Sequence, residues 1–296
     1  MIGVIGNAVL DLSYEVPTLP RSGETILAST TRVDIGGKGL NQAIVSHRAG
    51  SLVRLAAVIG NDAHGKLIEK QIMDDGMRSA DLIIRDGPSD HSIIYVGDEG
   101  ENCIVSTTGM TASLSVDEID PLLGALGPDD TLLLQGNLPM ALTRACLECA
   151  RARHVRTLVN PAPITFDYDD LWPLIDVTIV NQVEGDVLTG CAESETIVSR
   201  LQTFGVDLAV VTLGEAGALL GYDDQSIPIG APIIQAVDST GAGDVFCGVM
   251  AAALDQDMAP EAACRWAVAA ASQSVTCHGT IGSFPSSKTL QTLKPK

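Results

Sequence analysis

Basic residues are scarce in this chain: 18 Lys and Arg stand against 37 Asp and Glu in 296 residues, a formal net charge of −19. A field of that sign repels polyanions, which argues against nucleic acid and anionic membrane surfaces as partners. ATP remains acceptable where backbone amides and a few local cations face its phosphates. Aromatic residues make up only 3%. A nucleoside acceptor needs an apolar or aromatic slot for its base, and Tyr14, Phe166 and Tyr168 are the sparse material for one. Trp172 and Trp266 read as packing residues. No apolar run is long enough for a bilayer: stretches such as 245–254 fall short of the ~18–20 residues a span needs. The opening MIGVIGNAVLDL has no basic n-region and reads as a strand rather than a signal peptide. The five histidines (His47, His64, His91, His154, His278) lack metal-ligand spacing, which argues against a structural zinc site. The seven cysteines are an odd number scattered through apolar contexts, the pattern of reduced core thiols in a cytoplasm. Cys146-Leu-Glu-Cys149 has redox-motif spacing but falls within a helical pattern rather than after a strand.

Apolar residues, by contrast, are plentiful at 46%. Short β-branched runs alternate with longer amphipathic ones. Strands are predicted at 2–6, 52–59, 131–135, 155–159, 177–180 and 208–212. Helices are predicted at 39–49, 63–75, 115–126, 140–153, 194–204, 243–256 and 260–276, with Ser115 and Glu118 as a capping box. Such alternation with apolar strands predicts an α/β fold whose mostly parallel sheet is covered on both faces. Residues 12–35 and 91–108 instead alternate polar with apolar residues around turn signals. They predict antiparallel strands with one wet face, forming a small projecting sheet. The α/β body then comprises 1–11, 36–90 and 109–296, and the small sheet serves as a lid or a dimer surface.

The sharpest motif is Asp238-Ser-Thr-Gly-Ala-Gly-Asp244, which runs straight into an apolar helix. Gly241 and Gly243 allow a tight turn and close approach to a ligand. Free N–H groups and the helix dipole at such a start form an anion site. Asp244 enters at its edge, placed to accept a proton from an attacking hydroxyl. An Asp N-cap on a glycine turn is the plainer alternative. A second segment, Gly36-Gly-Lys-Gly-Leu-Asn-Gln42, opens a predicted helix and offers Lys38 and Asn41 as donors for sugar hydroxyls. Taken alone it is also consistent with a tight turn. Gly60-Asn-Asp-Ala-His-Gly-Lys66-Leu67 nearly matches a P-loop but has Leu where a hydroxyl should reach magnesium. It reads as an ordinary strand-to-helix turn.

In this order and spacing, the glycine–lysine and DSTGAGD segments resemble the two signatures of the ribokinase-like (PfkB-type) carbohydrate kinases. The resemblance covers nearly the whole chain. It extends to Gly6 through Asp11, Ser22 through Thr25, Gly60 through Asp62, Gly97 through Asn102, Asn160-Pro-Ala-Pro163, Asn181 through Glu184 and Thr212 through Gly217. Within the family the motifs resemble the ribokinase branch more than the nucleoside or phosphosugar members.

The resemblance implies a three-layer αβα sandwich with a small β-sheet lid. It implies ATP-dependent phosphorylation of a small sugar's primary hydroxyl, with Mg²⁺ and K⁺ as cofactors. Asp244 would be the base, and the amides of Gly241, Ala242 and Gly243 the anion hole. Asp11, Gly37, Lys38, Asn41 and Asn137 would line the sugar pocket. Asn181 and Thr212, Leu213, Gly214, Glu215, Ala216 and Gly217, with Gly243, would lie against ATP. Glu184 would hold Mg²⁺ through water. Asp238, Thr240, Ser274, Cys277, Gly279 and Ser283 would surround the monovalent cation. Two positions depart from the ribokinase pattern: Val9 replaces an Asn and Asn137 replaces a Glu, both sugar contacts in that branch. Ribose is therefore a candidate acceptor beside other pentoses and ketoses. Two rival readings are a nucleoside or other polyol kinase on the same scaffold, and a non-catalytic sugar- or nucleotide-binding regulator. The second would damage the base or its glycines, which are intact. A homodimer through the small sheet is expected.

Overall fold

A computed structural model describes residues 1–98, 101–223 and 225–295. In chain order its strands are β1 (Ile2–Ile5), β2 (Val9–Val16), β3 (Thr30–Gly36), β4 (Val53–Gly60), β5 (Leu82–Arg85), β6 (His91–Gly97), β7 (Asn102–Ser106), β8 (Thr131–Gln135), β9 (Arg156–Asn160), β10 (Val177–Asn181), β11 (Leu208–Thr212), β12 (Ala218–Tyr222) and β13 (Gln225–Ile229). The helices are α1 (Lys38–Arg48), α2 (Ala63–Asp74), α3 (Gly109–Ala112), α4 (Val116–Leu123), α5 (Met140–Ala152), α6 (Gln182–Thr189), α7 (Ser194–Thr203), α8 (Ala242–Asp255), α9 (Pro260–Ser274) and α10 (Ser287–Leu293).

Nine strands form one sheet in the order β13-β12-β11-β10-β9-β8-β1-β4-β5. The seven from β11 to β5 are parallel, and β12 and β13 add an antiparallel edge. Alternate residues of each central strand feed opposite cores, as the two-residue period of a strand dictates. Val4, Leu133, Ile179 and Val210 face a layer built from α1, α2, α8, α9 and α10. Ile5, Leu134, Val180 and Val211 face a layer built from α4, α5 and α7. The molecule is therefore the expected αβα sandwich. Pro228 is tolerated in β13 because that strand lies at the sheet edge, where no ladder N–H is missed on its outer side.

A separate four-stranded sheet has the order β3-β2-β6-β7. Its outer pairs, β2 with β3 and β6 with β7, are antiparallel as expected. The central pair β2 and β6 is parallel, which corrects the expectation of an all-antiparallel sheet. Both hairpins leave the body after parallel strands, β1 and β5, so their first strands run outward together. The sheet also takes in Val9 to Asp11 and Gly36. Of the segment Gly97 to Asn102, Glu99 and Gly100 lie outside the described residues.

Among the described residues, no helix is long and apolar enough to cross a membrane. Phe166, Tyr168, Trp172 and Phe204 stack in series, with ring centroids 4.7, 5.4 and 5.9 Å apart, inside the α5 and α7 layer. That ladder removes Phe166 and Tyr168 as a slot for a base. The Cys146–Cys149 pair lies within α5 with both thiols free, and burial pushes Cys146 up to about 12. A thiol pushed upward in this way is the reverse of a redox thiol, whose pKa is depressed.

Candidate active site

The end of β1 and the start of α1 are built around Asn7. Gly37, the N-cap of α1, provides no side-chain cap. Asn7 supplies one from thirty residues upstream: its carbonyl accepts from Leu40 N at 3.0 Å and its Oδ1 accepts from Gly39 N at 3.1 Å. These bonds satisfy amides that a helix start leaves without partners. Asn137 Nδ2, from the turn after β8, donates to the same Asn7 Oδ1. Asn7 is thus a hub between two segments expected at the sugar. Its neighbours Asp11 and Val9 drew notice in the sequence, but a side chain that caps a distant helix leaves no local pattern.

Asp11 is 8% exposed. Burial pushes its carboxyl up to about 6, the nearby Asp34 and Asp244 carboxylates push the same way, and the Ser92 hydroxyl opposes them. Gly36 is required beside it: a Cβ there would lie 2.1 Å from Asp11 Oδ2.

Asp244 sits in the first turn of α8, 6% exposed. Asn41 Nδ2 donates to its Oδ2 at 2.8 Å and Gln42 Nε2 to its Oδ1 at 3.0 Å. Lys38 Nζ lies 3.8 Å from Oδ1. Burial works to lower the Lys38 pKa, but Asp244, Cys247 and Glu184 raise it more, and the net shift is upward. The ammonium therefore stays charged beside the carboxylate. Asn41 Oδ1 and Asn137 Oδ1 are buried with no hydrogen-bond partner in the protein. Buried acceptors left this way cost about 1–3 kcal/mol each. A ligand rich in hydroxyl donors satisfies them.

The N-cap of α8 is Gly241, in the left-handed region at φ 77°. The far side of this turn is closed: a Cβ on Gly241 would lie 2.6 Å from the Phe284 ring. A Cβ on Gly243 would meet nothing within 4 Å, so the amide turn opens on that side. Ala242 N donates to Ser239 O at 3.2 Å within the turn, and the next amides of α8 have no intrahelical acceptor and point out of the helix start.

Asn181, at the C-terminal end of β10, caps α6 through a reciprocal box: Glu184 N donates to Asn181 Oδ1 at 2.8 Å and Asn181 N to Glu184 Oε2 at 2.9 Å. The N-x-x-E pattern is therefore also a helix start, which the sequence reading overlooked. Thr212 ends β11 alongside, and Gly214, Glu215 and Ala216 form an exposed turn closed by the Leu213 N to Gly217 O bond. These two strand ends neighbour each other at the same edge of the sheet.

Asp238 joins the remaining segments. Its Oδ1 accepts from Thr240 N at 2.9 Å and its Oδ2 from Gly279 N at 3.0 Å. Burial raises its pKa, the hydrogen bonds from Thr240 and Gly279 and the nearby His278 lower it, and the net shift is downward. Ser283 Oγ donates to the carbonyls of Gly279 and Thr280 at 2.8 Å each. Ser274 turns its hydroxyl into its own helix, onto Ala271 O. Cys277 is exposed. The described residues contain no cluster of three or more His, Cys, Asp or Glu fit to hold a metal. These segments offer oxygens only as hard donors: backbone carbonyls, the Thr240, Ser274 and Ser283 hydroxyls, and the Asp238 carboxylate, which is already occupied by the Thr240 and Gly279 amides.

The near P-loop is a capped turn. Asp62 accepts from Gly65 N at 2.8 Å and from Ser89 N and Oγ, so its own carboxylate fills the place an anion would take.

A buried carboxylate, a charged lysine and an open amide turn at one helix start are the parts of a phosphoryl-transfer site on an alcohol. The family model for pfkB family carbohydrate kinases matches residues 1–287. The ribokinase of Haemophilus influenzae is 30% identical over 288 residues, covering 95% of this chain and 94% of that protein. The deoxyribokinase of Salmonella typhi is also 30% identical, over 298 residues, covering 96% and 95%. The structure of Arabidopsis thaliana ribokinase complexed with ribose and ATP superposes with a TM-score of 0.89 at 28% identity, covering 99% of this chain and 97% of that one. The chain belongs to the pfkB family of carbohydrate kinases. It is an ATP-dependent enzyme that phosphorylates a sugar.

Proposed function

We propose that the acceptor is the primary hydroxyl of a small pentose or ketose, with ribose and 2-deoxyribose as the first candidates. One observation carries this reading. Asp244 belongs to the amide turn of α8, yet its carboxylate is held by Asn41 and Gln42 of α1, the helix that opens at Lys38. A group placed there touches both a sugar hydroxyl and a phosphate at the helix start. Asp11, Gly37, Lys38, Asn41 and Asn137 bind the sugar, and the unpartnered Asn41 and Asn137 oxygens take its hydroxyl protons in hydrogen bonds.

In the reaction the hydroxyl proton passes to an Asp244 oxygen as the sugar oxygen bonds to the terminal phosphorus of ATP. The bond from that phosphorus to the bridging oxygen breaks and ADP leaves. Lys38 and the amides of Gly241, Ala242 and Gly243 face the charge that builds on the transferring group. Asn181 and Thr212 to Gly217 hold the nucleotide. Glu184 retains one carboxylate oxygen beyond its capping bond and would hold Mg²⁺ through water, which supplies charge neutralisation on the phosphates. The carbonyls of Asp238, Thr240, Cys277 and Gly279, with Ser283 and the end of the helix at Ser274, would hold K⁺ and fix the shape of the anion hole.

The small sheet, residues 12–35 and 91–108, closes over the sugar as a lid. Its outer face carries Leu12, Tyr14, Val33, Ile93, Tyr95 and Val105, with Val33 57% and Val105 60% exposed. A second copy covers that face in a homodimer. The seven unpaired cysteines support a reducing cytoplasm as its location.

Asp244→Asn removes the base and keeps the shape. Turnover of ribose in an ATP-consumption assay is expected to fall by several orders of magnitude, with nucleotide affinity within about threefold. Wild-type turnover in that variant overturns the assignment. A parallel panel of ribose, 2-deoxyribose, ketohexoses and nucleosides identifies the acceptor.

A further inference from the structure

Asp244 is held from behind by a chain of buried amides, two of which, Gln42 and Asn160, stand at the ends of sequence motifs without any role assigned to them there. Gln42 and Gln135 are fully buried, and Asn160 is 6% exposed. Gln135 Nε2, at the end of β8, donates to Gln42 Oε1 at 2.9 Å. Gln42 Nε2 donates to Asp244 Oδ1 at 3.0 Å and to Asn160 Oδ1 at 3.3 Å. Asn160 Nδ2, at the end of β9, donates in turn to the Ile179 carbonyl of β10 at 2.9 Å.

The chain has only one workable polarity. The Ile179 carbonyl can only accept, so Asn160 must turn its amide nitrogen toward it and its oxygen toward Gln42. Gln42 must then present nitrogen to Asn160, which also brings nitrogen to Asp244. Gln135 completes the arrangement by donating to the oxygen Gln42 has left. If Gln42 turned over, its oxygen would face the Asp244 and Asn160 oxygens and its nitrogen the Gln135 nitrogen. Three repulsive contacts in a dry interior make that state costly.

We propose that Gln42, Gln135 and Asn160 are positioning residues for the transfer step, a polar relay that fixes which group faces Asp244 Oδ1 and so sets the carboxylate's rotamer. The Gln135 side chain hydrogen-bonds to Gln42 and, among the described residues, to neither Asp244 nor the sugar-facing residues, so it acts on Asp244 through Gln42. The inference rests on Asp244 being the base.

The test exploits the polarity. In Gln135→Glu the buried carboxyl keeps its proton near pH 6, because burial disfavours the charge, and donates O–H to Gln42 as the amide did. At pH 9 it ionises, turns oxygen toward oxygen, and drives Gln42 over. The ratio of variant to wild-type kcat is expected within about threefold of unity at pH 6. It should fall by roughly 10- to 100-fold at pH 9, the worth of one charge-assisted hydrogen bond, with the KM for ATP unchanged. A packing role predicts a ratio that does not vary with pH, and that result overturns the proposal. Circular dichroism at both pH values checks folding.

If Gln135→Glu unfolds at pH 9, Gln42→Met decides. It is expected to lose roughly 10- to 100-fold in kcat at every pH while both KM values stay within about threefold. Wild-type kcat in Gln42→Met refutes the relay. Asp244→Asn separates the two levels of the reading. An inactive Asp244→Asn beside fully active Gln42→Met sinks the relay alone, and an active Asp244→Asn sinks the base and the relay together.

Discussion

Replacing Asp11 with Asn should stabilise the unliganded enzyme above pH 6 while weakening its hold on sugar. Asp11 is 8% exposed, and burial pushes its carboxyl from 3.8 up to about 6. A raised acid pKa means the folded state holds the proton more firmly than the unfolded chain. Stability contributed by this group is full below pH 3.8, declines as pH rises to about 6, and is level above it. A displacement of about two pH units corresponds to about 3 kcal/mol. Asp11→Asn has no such titration, so the difference between variant and wild type should be near zero at pH 3.5. It should grow to at most about 3 kcal/mol by pH 7. Urea unfolding of both proteins at half-unit pH steps measures it. On the proposed role of Asp11 as an anionic acceptor for a sugar hydroxyl, calorimetric titration of the same variant should show affinity lower by roughly 10- to 100-fold at pH 7.5. In the wild type, sugar affinity should weaken as pH falls through 6. A constant stability offset between the two proteins from pH 3.5 to 8 would refute the reasoning, because it would mean Asp11 does not titrate abnormally.

Gly241→Ala should cost about 1–2 kcal/mol for the left-handed φ of 77° alone, and more because its Cβ would meet the Phe284 ring at 2.6 Å. Denaturant unfolding reads the loss, and kcat should fall by at least about 10²-fold through the displaced amides; a variant as stable and active as wild type would contradict the turn geometry. Val33→Asp, which places a charge on the exposed apolar face of the small sheet, should convert a dimer to monomer in sedimentation velocity. An unchanged sedimentation coefficient would remove that face as the interface.

Much of the sandwich was legible because its elements obey simple periodicities. The strand predicted at 131–135 is Thr131–Gln135, and the helix predicted at 260–276 is Pro260–Ser274. What escaped has physical reasons. Helix α6 was hidden because Asn181 and Glu184, its capping box, were read only as a nucleotide motif. The β12–β13 hairpin turns on Asp223 at φ 49°, without the glycine that advertises such a turn, and carries a proline in its edge strand. The parallel pairing of β2 with β6 depends on where two distant hairpins leave the body, which no local pattern encodes.

The same division runs through the site. Asp244, Lys38 and Asn41 were visible because glycines beside them mark close backbone approach, and glycine leaves a sequence signal. Asn7, Gln42, Gln135 and Asn160 act through side-chain hydrogen bonds between elements 19 to 202 residues apart, and one amide in a strand or helix looks like any other. Yet these amides decide how the visible residues are oriented. Asn7 caps the helix that carries Lys38 and Asn41, because Gly37 cannot. Gln42 turns its nitrogen to Asp244 because Gln135 occupies its oxygen. The glycine-rich start of α1 therefore takes its side-chain cap from elsewhere, whereas that of α8 is left open. The price of bringing backbone close to a ligand is that the glycines cannot orient anything themselves.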